Sequence, residues 1–237
     1  MNHDFLPLEA AAAHIGVDAA ELRHSAQRGE IASRRRGDEW LFEHGALDDW
    51  AQQRLLAAGA RSLAKQHRAL DERHRREKRR NAPLAELLAA GATDLNLAAK
   101  AKAGVLRDMT DLAVRSNLVY DPDVLYRELV ERESAASTAV ASGAAFLHPR
   151  RHDPYLFEQS FIAYGRALRP IFFGATDGTA TRHFFLICAA DHDEHLHALA
   201  RLAVLVHGTD LLARLDAAEE CEQVREAFAA CEEEFRQ

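Results

Sequence analysis

Cysteine is scarce: three in 237 residues, at positions 188, 221 and 231, with no Cys-x-x-Cys pair. An odd, scattered set argues against a disulfide scaffold and points to a reducing cytoplasm. Long apolar runs are also missing, none approaching the roughly 20 residues that a membrane-spanning helix needs. The opening MNHDFLPLEAAAA has no basic stretch ahead of its short apolar run, so it does not read as a secretory signal. What is present is 48% apolar and 28% charged, the composition of a soluble globular protein. The length suits two domains.

Charge divides the chain. The net value is −7, but Met1 to Arg80 holds 15 Lys and Arg against 13 Asp and Glu, while the remainder holds 15 against 24. The basic excess of the first part lies mostly in RSLAKQHRALDERHRREKRR. We therefore expect a small front domain over 1–56, a basic helical connector over 57–82 and an acidic back domain over 83–237.

In the front domain, Leu8 to His14 reads as a short helix ended by Gly16, since a helix C-terminus favours a residue free to take positive φ. Asp18, with Glu21 three positions on, has the form of a capping box for a second helix that stops at Gly29. Ile31 to Phe42, broken at Gly37-Asp38, suggests a two-stranded wing. Helical spacing resumes from Ala46, with Leu47, Trp50 and Leu55 inward. In the connector no proline and only Gly59 interrupt Arg54 to Arg80. Leu56, Leu63, His67 and Leu70 form a thin stripe at spacings of seven, four and three. A coiled-coil homodimer and a solvated helical spacer both fit that stripe.

The back domain alternates strand and helix patterns, which argues an α/β fold. Asp94 to Leu97 reads as a strand. Lys102 to Ser116 is an amphipathic helix with Val105, Met109 and Leu112 inward. Asp121-Pro122 opens another helix, Asp123 to Glu133, with Val124, Leu125 and Leu129 inward. TAVASGAAFL, FEQSFIAYGRA and RHFFLICAA read as strands. EHLHALARLAVLVHGTDLLARL reads as one buried helix and AEECEQVREAFAACEEEFR as an amphipathic one. Cys188, in an apolar strand, reads as a buried thiol.

Two resemblances attach to these stretches. LEAAAAHIGV, RGEI and LDDW, over about Phe5 to Leu55, resemble the excisionase-like, MerR-related winged helix-turn-helix modules. That resemblance implies DNA as a partner, with Arg23, His24 and Arg28 facing bases or phosphates and Arg34, Arg35 and Arg36 facing phosphates. The module's own balance, six arginines against ten acids in Met1 to Leu56, is poor for a lone DNA binder, and a protein-interaction or relic role is the alternative. RELVERESAASTAVASGAAFLHPR, YGRA, IFFGATDGTATRHFFLICAA and DEHLHALARLAVLV, over about Leu84 to Phe235, resemble the type-2 enzyme IIA domain of the bacterial phosphotransferase system, the fructose, mannitol and nitrogen-regulatory class. That resemblance implies a mixed sheet flanked by helices and a phosphoryl acceptor at His148. It also implies a second active-site histidine at His195, an arginine at Arg132, and the histidine phosphocarrier protein as donor. Where the family usually reads Ile-Pro-His-Gly, Leu147 precedes the histidine here and Pro149 follows it.

Those residue types suit the chemistry. A neutral imidazole, with a reference pKa of about 6.5, is a good nucleophile near neutrality. Phosphoryl transfer then needs positioning and charge stabilisation. The planar fork of Arg132 matches phosphoryl oxygens, and His195 and Thr138 can each offer a proton. Arg150 and Arg151 are either extra phosphate contacts or solvated loop residues. A zinc site from His192, His195, Asp191 and Asp193, with His148 or His152, is the metal alternative; its spacing matches no known finger, and we expect no metal and no cofactor. Three functions stay open: a regulator read through phosphate at His148, a transport relay passing phosphate to an enzyme IIB, and a non-phosphorylated interaction module. No IIB or membrane IIC segment follows in this sequence, which favours regulation.

Overall fold

The computed structural model describes residues 5–37, 39–57, 82–151, 153 and 155–236. The chain divides into two compact units, Met1–Arg73 and His74–Gln237. Residues 58–81 of the expected connector, with Leu63, His67 and Leu70, lie outside the described residues, as do Asp38, His152 and the side chains of Leu55 and Leu56.

The first unit runs β1 (Phe5–Pro7), α1 (Leu8–Ile15), α2 (Ala19–Gln27), β2 (Ser33–Arg36), β3 (Glu39–Glu43) and α3 (His44–Ala57). Gly16 ends α1 in the left-handed region at φ 69°, where a side chain would be strained. Asp18 caps α2 by accepting from the Ala20 N–H. The expected capping box differs in its second half, because the Glu21 carboxylate pairs with Arg54 at 2.6 Å. The sheet has three antiparallel strands in the order β1-β3-β2. Strand β1 has no counterpart in the sequence reading, since three residues ending in proline give no periodic signal. Leu8, Ala11, Ile15, Leu22, Ile31, Phe42, Leu47 and Trp50 are buried.

The second unit holds α4 (Leu84–Leu87), β4 (Leu88–Leu97), α5 (Lys102–Val114), α6 (Pro122–Ala135), β5 (Ala144–Leu147), β6 (Phe161–Ile171), β7 (Thr181–Cys188), α7 (His192–Gly208), α8 (Leu211–Ala217) and α9 (Cys221–Arg236). Its sheet is mixed and four-stranded, in the order β4-β6-β7-β5. β4 runs parallel to β6 and β5 parallel to β7, while β6 and β7 are antiparallel. Alternation along β7 sends Phe184, Leu186 and Cys188 into the core beneath α5 and α6, with Val105, Met109, Leu112, Leu125 and Leu129. The other face turns Phe185 toward Phe228 of α9, their rings 6.0 Å apart. The sheet is thus covered on both faces, which is why β7 reads as a continuous apolar run.

Three expectations are corrected. Asp94 to Leu97 is only the end of β4, which starts at Leu88; LAAG has none of the β-branched residues that mark a strand. TAVASGAAFL is a strand only over Ala144–Leu147; the residues up to Gly143 form a turn. The long helix divides at Thr209-Asp210 into α7 and α8, which bend by 81°. There the Thr209 hydroxyl returns to the Leu205 carbonyl and closes the last turn. Among the described residues no single helix is long and apolar enough to cross a membrane.

Candidate functional site

The site is assembled at the end of a strand from three segments. Residues 139–145 reverse tightly, with Gly143 at φ 82° and Ala139 bridging Ala145, so the small residues of ASTAVASGAA form a close turn into β5. β5 ends at Leu147, paired with Leu186. His148 is the next residue and is 3% exposed.

Both ring nitrogens of His148 have identified company. Nδ1 lies 2.9 Å from the Phe146 carbonyl oxygen, which can only accept, so Nδ1 carries the proton. Nε2 lies 2.8 Å from Nε of Arg132, which can only donate, so Nε2 presents its lone pair. Geometry alone therefore assigns a neutral imidazole of one tautomer. Arg132, 3% exposed, comes from the last turn of α6, and its Nη1 also donates to the Ala136 carbonyl that ends that helix. His195, 2% exposed, stands in the first turn of α7, which Asp191 caps by accepting from the Glu194 N–H. The His148 and His195 ring centroids are 4.6 Å apart.

The structure thus brings His148, Arg132 and His195 together. Thr138 is arranged differently from the expectation. Its hydroxyl donates to Glu133 at 2.7 Å, and its N–H donates to the same carboxylate at 3.1 Å. A hydroxyl has one proton to give, so Thr138 holds the turn rather than offering that proton beside His148. Its carbonyl accepts from the Phe146 N–H, tying the turn to the strand that ends at His148. Glu133 is itself buried and completes its set with Lys102 at 2.8 Å. Arg151 is likewise not a free phosphate contact: its backbone N–H and guanidinium both go to Glu128. Glu128, Glu133 and Lys102 were not singled out from sequence. The spacing of four between Glu128 and Arg132 on a helix was the available signal, since it places them on one face.

Another buried histidine, His183, lies at the opposite end of the ladder. His183 accepts from the Tyr164 hydroxyl at Nδ1, 2.8 Å away, and faces Asp216 at 3.5 Å through Nε2. Burial pushes its pKa down to about 4, against the pull of the Asp216 carboxylate. Burial also raises the Tyr164 phenol and the Cys188 thiol, leaving both protonated.

In the first unit, Arg23 and His24 are exposed on α2. Arg28 pairs with Glu30 at 2.7 Å and Arg36 with Glu39 at 3.1 Å. Arg34 lies over the Phe5 ring and Arg35 over Trp40, at 4.9 and 5.4 Å from the centroids.

Fold and site together define a mixed-sheet α/β domain with an arginine-backed histidine pair at the end of a strand. Residues 86–231 match the family described as the phosphoenolpyruvate-dependent sugar phosphotransferase system, EIIA 2, and the chain belongs to it. A nitrogen regulatory protein of Bradyrhizobium diazoefficiens is 33% identical over 107 residues, 44% of this chain and 68% of that one. The fructose-specific EIIABC component of Bacillus subtilis is 27% identical over 138 residues, 57% of this chain; the match spans only 21% of that longer protein. The crystal structure of the nitrogen regulatory protein IIA-Ntr from Neisseria meningitidis shares the fold, with a TM-score of 0.56 and 22% identity over 62% of this chain and 99% of that one.

Proposed function

We propose that the chain accepts a phosphoryl group on Nε2 of His148 from the histidine phosphocarrier protein and acts as a phosphotransferase-system regulator in the cytoplasm. The observation that carries this reading is the tautomer: Nδ1–H is held by a carbonyl, and the Nε2 lone pair faces a guanidinium. The lone pair forms the new P–N bond as the bond to the donor's imidazole breaks. The Nδ1 proton stays where it is. Arg132 then has an anion to hold instead of a lone pair, and a charge-assisted fork suits phosphoryl oxygens. His195, in ring contact, is the second group positioned to donate to that anion.

Regulation is favoured by the relative named a nitrogen regulatory protein. A relay to an enzyme IIB is the second reading, favoured by the fructose-specific relative. For the front unit, a winged helix-turn-helix contacting DNA through Arg23, His24, Arg28, Arg34, Arg35 and Arg36 is supported by their exposure and by a β2–β3 hairpin that follows α2 in the chain. The domain boundaries 1–56, 57–82 and 83–237 belong to the same proposal. The test is incubation of the full chain with phosphoenolpyruvate, enzyme I and the phosphocarrier. Acid-labile phosphate should appear in the wild type and vanish in His148→Ala; equal labelling of the two would sink the assignment.

A further inference from the structure

We propose that Arg151, clamped by Glu128, is a positioning residue that holds the His148 imidazole in its reactive tautomer, an inference that rests on His148 being the phosphoryl acceptor. The sheet fixes the backbone only as far as Leu147. Beyond it the chain runs through His148, the buried Pro149 and the exposed Arg150. The next anchor is Arg151.

That anchor has three hydrogen bonds. The Arg151 backbone N–H donates to one Glu128 oxygen at 3.1 Å, and Nε–H and Nη2–H donate to the other. The Glu128 side chain is 8% exposed and the Arg151 side chain 74%. A buried carboxylate is unfavourable unless its oxygens are matched, and here a largely exposed arginine matches both. Glu128 and Arg132 stand one turn apart on α6, so a single helix face grips the chain at residues 151 and 148. The arc between the two grips is short, and Pro149 restricts its φ to about −65°. With Leu147 fixed on one side and Arg151 on the other, the ring has one placement that satisfies both Phe146 and Arg132. Without Arg151, the backbone on the downstream side of His148 loses its tie to α6.

Imidazole nitrogen–proton correlation spectra of the full chain test this, with the His148 signals identified by their absence in His148→Ala. The wild type should show a single Nδ1–H tautomer. Arg151→Gln should populate the Nε2–H tautomer and slow phosphoryl acceptance about 10-fold in kcat, with KM for the phosphocarrier unchanged, the expected scale for a small misplacement. Arg151→Lys should fall between. Glu128→Gln/Arg151→Gln, which removes the buried charge as well as its partner, should show the same tautomer change and so separates positioning from loss of folding. An unaltered tautomer in folded Arg151→Gln, or a rate loss confined to KM, would overturn the proposal. A tautomer change in a chain whose wild type takes up no phosphate would support the clamp and remove the acceptor role.

Discussion

His148 directly follows β5 and His183 lies on its parallel neighbour β7; both are buried, yet they keep opposite company. Ala144 pairs with His183, so His148, four residues further along the chain, sits just past the other end of the ladder. At His183 the lone pair accepts from a phenol that burial keeps protonated, and the ring N–H faces a carboxylate. At His148 the N–H goes to a carbonyl and the lone pair faces a guanidinium. Burial is common to both and distinguishes nothing. The group opposite the lone pair separates them: a phenol occupies it, whereas a guanidinium is also a ready partner for an anion arriving there.

The largest test of that contrast is Arg132→Gln. It should reduce phosphoryl acceptance by about 10²–10³-fold, the usual cost of losing one charge-stabilising donor, read as the rate of label uptake from the phosphocarrier. Arg132→Lys should lose less, because it keeps the charge but not the fork. A wild-type rate in Arg132→Gln would erase the distinction between the two histidines.

The next test addresses His183. Its folded pKa, near 4, lies below the unfolded value of about 6.5, so the unfolded chain takes up a proton that the folded one refuses. Its effect on stability is nil above about pH 6.5. It grows as a loss on descent toward pH 4, reaching about 3 kcal/mol. Urea unfolding from pH 7 to 4 should therefore show a steeper decline in the wild type than in His183→Gln, and parallel declines would count against the buried neutral imidazole. The smallest effect is expected at the floor between the two histidines. A Cβ on Gly165 would sit 2.4 Å from Leu97 Cδ1 and 2.6 Å from Met109 Sδ. Gly165→Ala should cost about 2 kcal/mol by overpacking in the urea midpoint, with the His148 tautomer intact.

Much of this was legible in the sequence, for physical reasons. Val105, Met109 and Leu112 recur at helical spacing and are all buried in α5. Asp121 with Pro122 marks the start of α6, and the Asp121 carboxylate does accept from the Val124 N–H. The strand β5 was legible within TAVASGAAFL, but the turn at Gly143 was not, because small residues around a glycine read as one continuous strand. Short or weakly patterned elements were not legible: β1, the first half of β4 and the break at Thr209. At the site, His148, Arg132 and His195 were reached through family resemblance, while the supporting shell was not. Glu133 sits beside Arg132 in sequence, but only the folded turn shows that it takes both protons of Thr138 and pairs with Lys102. Arg151 looked like a free cation because its partner lies 23 residues earlier.

One tie across the domain has a consequence for how it is made. The Leu84 N–H donates to Glu232 across 148 residues, and Arg225 donates to the carbonyls of Ala85 and Leu88 across 140 and 137. The opening turn and the edge strand are thus fastened by the helix that is translated last among these elements. At bacterial elongation speeds of about 5–20 residues per second, the first of these residues leaves the ribosome roughly 7–30 s before its partner. During that interval the nascent domain has an unfastened edge, and chaperones have their clearest opportunity to bind it.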